Sequence, residues 1–223
     1  MKISLLHQII RSEWLFQPEA LQAYLPLVGK LIQGEKVEFE EVKPESLFFV
    51  NENARRLNAE SFEAFNQSDN VIAVVSAVGG MVKYGDICNY GADDLVSQLI
   101  QADQNEFIDG IILNIDGPGG AVNAAAPFIE FAKNKSKPLV ALCDTAASLH
   151  YWIAASCDAI IADNNVSSAF GSVGTMTVFA DQTKYLEDMG VKIHEIYAPE
   201  STHKNESFRL ALEGKYDKIK EEH

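Results

Sequence analysis

The sequence predicts an α/β fold, a mainly parallel sheet covered by helices, with a helical N-terminal segment in front of it. Three observations predict it. From residue 71 onward, short apolar runs alternate with amphipathic stretches at the spacing of repeated βα units. The run VIAVVSAVG is apolar nearly throughout and IDGIILNID has an apolar centre, as strands covered on both faces do. Before residue 71 the texture differs, with helical patterning.

Taken in order, Pro18 is placed to open a helix that runs to about Gly34. The acidic stretch GEKVEFEEVKPE comes next, and residues 52–66 read as a second helix. Residues 1–70 form an N-terminal arm or packing segment without recognisable chemistry, and residues 71–223 form the second domain. There VIAVVSAVG is a buried strand, and GADDLVSQLIQAD is a helix with Leu95, Leu99 and Ile100 on its apolar side. IDGIILNID is the next strand and ends in the turn GPGG. The helix AVNAAAPFIEFAKN leads to the strand PLVALC, and then come the small-residue helix AASLHYWIAASC and the strand AIIAD. A glycine turn, GSVG, precedes the strand TMTVFA. A helix from Gln182 to Met189 and the strand VKIHEIYA complete the series.

Composition narrows the function. Apolar residues at 47% and charged residues at 22% are ordinary for a globular protein. The net charge of −14 argues against a nucleic-acid partner, which needs clustered Lys and Arg. Cys88, Cys143 and Cys157 form no CxxC pair and leave an odd count, so they read as reduced thiols and not as a disulfide framework or zinc site. The start, MKISLLHQIIRSEWLF, is interrupted by His7, Gln8, Arg11 and Glu13 and has no signal-peptide core. The longest apolar stretch, Val71 to Val82, falls short of the roughly 20 residues that span a bilayer. A soluble, unanchored protein is expected.

Three short motifs carry chemistry. Asp116-Gly-Pro-Gly-Gly120 stands between a strand end and a helix start, where glycines let backbone N–H groups approach a developing negative charge. Ala146-Ala-Ser148 comes after the strand PLVALC, so a serine among small residues sits at a strand-to-helix junction. Gly171-Ser-Val-Gly174 is a turn before a strand. Singly, each has an ordinary reading: a tight turn, an N-cap serine, a glycine turn.

Together, in this order and spacing, the motifs resemble the SppA-type serine peptidases, which include signal peptide peptidases and phage head-maturation proteases. The match runs from Val71 to Arg209, and MVKYGDICNYGADDL is similar to the prophage-borne branch. The resemblance implies a Clp/crotonase-like core for residues 71–223, truncated at its C-terminus, where family members continue with further helices. It puts the nucleophile on Ser148 and the oxyanion donors on the backbone of Gly120 and Leu149. Two departures stand out. Gly117 replaces the usual serine before Pro-Gly-Gly, and Leu149-His150 replaces the small pair that often comes after the nucleophile.

A serine needs a base to take its proton. Clp-type proteases carry a histidine in the stretch that here reads GSVG, and this chain has none there. SppA-type enzymes use a lysine just after a later strand. The resemblance therefore puts the base on Lys204, 56 residues beyond Ser148 (204 − 148). That role requires a neutral amine, hence desolvation around Lys204, with Glu200 and Glu206 turned away. His150 and His203 are rival bases outside the family position. The resemblance thus implies a Ser–Lys peptidase without cofactor or metal, acting on protein or peptide substrates as a homo-oligomer. Phage capsid, portal or scaffold proteins are its expected partners, in a bacterial cytoplasm or a virion. A cytosolic peptide-degrading homologue, an acyl-CoA-processing crotonase and an inactive assembly protein are the alternatives.

Overall fold

A computed structural model describes residues 14–16, 26, 29–30, 45–57, 70–85, 89–177, 179, 181–201 and 203–222. The chain divides into two compact units, residues 1–175 and 176–223.

The first unit is built on one mixed sheet. Its strands are β2 (Leu47–Asn51), β3 (Val71–Val78), β4 (Ile108–Gly117), β6 (Leu139–Ala147), β7 (Ala159–Ala162) and β8 (Ala169–Gly171). They run in the order β2-β3-β4-β6-β7, with β8 also paired to β6. β2 is antiparallel to β3, and every other pairing in this sheet is parallel. β7 and β8 share one edge of β6: β7 lies along Val140–Cys143 and β8 along Thr145–Ala147. The mainly parallel α/β architecture read from the sequence is the observed one, consistent with a Clp/crotonase-like fold.

Three helices follow strands here: α1 (Ala92–Gln104), α2 (Ala125–Asn134) and α3 (Leu149–Ala155). α1 begins with Asp93 and Asp94, carboxylates at the positive end of the helix dipole. Its far end is closed by Lys137, whose Nζ donates to the carbonyls of Ala102 and Asn105. α1 buries Leu95, Val96 and Leu99, and α2 buries Phe128 and Phe131. These side chains join Ala73, Val75, Ile111, Leu113 and Ile115 of the sheet in one core. Asp103 ties α1 to the entry of β6 by accepting the N–H groups of Ser136 and Lys137 at 2.9 and 2.8 Å.

Two further strands flank the glycine turn. β5 (Gly119–Ala121) continues from β4, and β1 (Trp14–Phe16) lies antiparallel along it with Leu15 opposite Gly120. A 3₁₀ turn at Val122–Ala124 leads into α2, so the helix begins later than the pattern predicted. Pro127 falls in the first turn of α2, where its missing N–H costs nothing.

Several sequence expectations change. Residues 52–57 do not begin a helix: the Asn51 side chain accepts the N–H groups of Asn53 and Arg55, Ala54 takes φ +56°, and Val50 bridges back to Arg56. The rest of that expected helix, residues 58–66, and most of the one from Pro18 to Gly34 lie outside the described residues. Ala146 and Ala147 belong to β6, and the next helix starts only at Leu149.

The second unit carries α4 (Thr183–Asp188), α5 (Glu206–Leu212) and α6 (Asp217–Glu221). Gly214, at φ +79°, separates α5 from α6, and the N–H of Lys215 returns to the Leu210 carbonyl at 2.8 Å. The expected strand VKIHEIYA has no regular structure, and Ile196 is 93% exposed. Apolar alternation alone does not make a strand, because the backbone also needs a ladder partner, and none is found for it among the described residues. The described residues of TMTVFA likewise form no strand.

Candidate active site

Ser148 stands between β6 and α3 with φ +56° and ψ −117°. That backbone region suits glycine and strains a residue with a side chain. Two hydrogen bonds hold it. The Ser148 N–H donates to the Gly171 carbonyl at 2.8 Å, and the Ser148 carbonyl accepts the Trp152 N–H at 3.1 Å. The first bond joins the serine motif to the GSVG turn, whose Gly171 is the last residue of β8. Ser148 is 5% exposed, and its Oγ is buried with no hydrogen-bond partner among the described residues. A strained, unsatisfied hydroxyl at a strand-to-helix turn is available for chemistry and is not used as a helix cap.

The glycine turn is fixed from two sides. The Gly119 carbonyl accepts the Met81 N–H at 3.0 Å, and the Gly119 N–H donates to His150 Nδ1 at 3.1 Å. Gly119 has φ +121°, open to glycine and hard for other residues. Within one planar peptide, the Gly119 C=O and the Gly120 N–H point in opposite directions. The Gly120 N–H therefore faces away from Met81, toward the edge along which β1 runs. Gly120 has no room for a side chain, since a Cβ would stand 2.0 Å from the Met81 carbonyl oxygen. α3, which opens at Leu149, packs on β5, which contains Gly120.

His150 is fully buried. Burial pushes its pKa down to about 4, so the ring is neutral at neutral pH. With Nδ1 accepting, the ring proton sits on Nε2, which has no partner among the described residues. This ring is engaged in the glycine turn. The two departures from the family pattern also meet here, because a Cβ on Gly117 would fall 2.4 Å from both Cε1 and Nε2 of His150. Both departures are visible in the sequence, but their contact is not.

The second unit holds the other predicted residues. Lys204 is exposed, and its N–H donates to the Ser201 carbonyl at 3.2 Å. His203 Nδ1 lies 2.8 Å from a Glu206 carboxylate oxygen, and Lys218 also contacts that carboxylate. Lys218 first and His203 second hold the Glu206 carboxyl well below the usual carboxylate range. Burial raises the thiols of Cys143 and Cys157, to about 11 and about 12, which keeps both protonated and unreactive. No helix among the described residues is long and apolar enough to cross a membrane.

Parts of known proteins are similar in sequence to this chain. Residues 131–215 match peptidase family S49. Protease 4 of Haemophilus influenzae is 32% identical over 127 residues, 55% of this chain and 20% of that protein. The head-tail preconnector protein GP5 of Enterobacteria phage P21 is 31% identical over 128 residues, 56% of this chain and 25% of that protein. Protease 4 of Salmonella typhi is 31% identical over 125 residues, 54% of this chain and 20% of that protein. The chain thus aligns with a quarter or less of these three relatives. It resembles the SppA-type peptidases, and residues 131–215 are the part that matches peptidase family S49.

Proposed function

We propose that the chain is a serine endopeptidase in which Ser148 is the nucleophile and Lys204 the general base. The observation that carries this reading is the strained Ser148 just after β6, whose buried hydroxyl has no partner among the described residues. The Lys204 amine takes the Ser148 proton as Oγ attacks the substrate carbonyl. The backbone N–H groups of Gly120 and Leu149 stabilise the oxyanion. The leaving amine departs with that proton, and water then hydrolyses the acyl-enzyme. The Gly120 N–H reaches a substrate only where β1 yields its edge.

A neutral lysine needs desolvation, and Lys204 is exposed in the single chain. A homo-oligomer in which a neighbouring copy covers Lys204 would supply it. The likeness to a phage head-tail protein supports capsid, portal or scaffold proteins as substrates, and the likeness to Protease 4 supports the same chemistry on other peptides.

The test is labelling with a serine-directed fluorophosphonate. Wild type should be labelled at Ser148 and Ser148→Ala should not, while Lys204→Ala should label at least about 100-fold more slowly. Labelling that persists in Ser148→Ala sinks the nucleophile. An unlabelled wild type favours an inactive assembly protein or an acyl-CoA enzyme.

A further inference from the structure

We infer that His150 is a positioning residue for the proposed oxyanion site: its Nδ1 takes up the Gly119 N–H and so fixes the glycine turn from which Gly120 presents its own N–H. The inference rests on the peptidase reading above and adds to it a residue that neither carries the nucleophile nor takes its proton.

The argument starts from the turn. Two peptide planes meet at Gly119, which stands at φ +121° and, without a side chain, leaves the backbone free to swing. One plane is held through the Gly119 carbonyl, which accepts the Met81 N–H at 3.0 Å. The other is held through the Gly119 N–H, and His150 Nδ1 is its acceptor at 3.1 Å. Without that acceptor, the buried N–H would be orphaned and the turn would have reason to rotate. An oxyanion donor is effective only when its direction is set before the charge develops. The imidazole has little freedom of its own, being fully buried with one edge in the space a Gly117 side chain would take. His150 also stands two residues after Ser148, in the short helix that Ser148 precedes, so the serine and the support of the turn are held at one strand-to-helix junction.

The test compares His150→Leu with His150→Asn in the full chain. Asparagine can place an acceptor oxygen where Nδ1 stands, and leucine cannot. With the fluorophosphonate, His150→Leu should lower the maximal labelling rate by about tenfold or more, with the probe's half-saturating concentration unchanged, as for a donor that acts in the transition state. His150→Asn should recover most of that rate. Wild-type labelling by His150→Leu overturns the inference while leaving Ser148 as nucleophile, and so does His150→Asn performing no better than His150→Leu. A wild type that is not labelled at Ser148 overturns both readings. Should His150→Leu fail to fold, nitrogen-15 spectra of the wild-type imidazole decide. A neutral ring protonated on Nε2 at pH 7 supports the inference, and a proton on Nδ1 overturns it.

Discussion

Gly117 and His150 share one space: a Cβ at position 117 would lie 2.4 Å from two atoms of the imidazole and 2.6 Å from the Gly79 carbonyl oxygen. Gly117→Ala should therefore destabilise the protein by about 2–3 kcal/mol through overpacking. In a His150→Ala background that cost should fall by at least about 1 kcal/mol, but not to zero, because the Gly79 oxygen remains. Urea melts of the four proteins give the coupling. Additive effects would show that the ring does not occupy this space.

Burial of His150 gives stability a pH dependence with a definite sign. The unfolded chain takes a proton near the ordinary value of 6.5, and the folded ring resists it to about 4. Its contribution is complete above pH 6.5 and is lost as pH falls toward 4. At about 1.4 kcal/mol per pH unit, wild type should lose about 2–3 kcal/mol more than His150→Asn between pH 7.5 and 4.5. Denaturant melts at both pH values check this, and equal losses would mean that the ring is not held neutral.

Removing the proposed nucleophile should stabilise the fold. Ser148→Ala removes a buried hydroxyl without a partner among the described residues, and Ser148→Gly also relieves the positive φ. Gains of about 1 kcal/mol are expected, with glycine at least as stable as alanine. Thermal melts measure the order. A less stable Ser148→Ala would show that the hydroxyl has a partner in the folded protein.

Gly120→Ala should abolish fluorophosphonate labelling or slow it at least about 100-fold, since the new Cβ would displace the Met81 carbonyl and turn the proposed donor. Normal labelling in this variant would remove Gly120 from the oxyanion site.

Much of the first unit was legible in the sequence. The centres of β3, β4 and β6 are apolar on both faces, and α1 and α2 carry clear helical periodicity. The serine junction was visible too. What was not legible depends on distant partners. VKIHEIYA alternates like a strand, yet pairing cannot be read from alternation. Residues 52–57 look helical until the Asn51 side chain claims their N–H groups. The role of His150 depends on a contact with Gly119, 31 positions away, which no local pattern encodes.

The crowding between positions 117 and 150 also restricts the order in which such a site can change during descent. In a relative with serine at 117, histidine at 150 would overlap the serine Cβ unless the ring moved. Loss of the side chain at 117 would then come before the histidine or together with it. The intermediate, glycine at 117 beside a small residue at 150, leaves a hollow the size of the imidazole ring. Once the imidazole fills that hollow and takes up the Gly119 N–H, returning a side chain to 117 is blocked, and the replacement becomes hard to reverse.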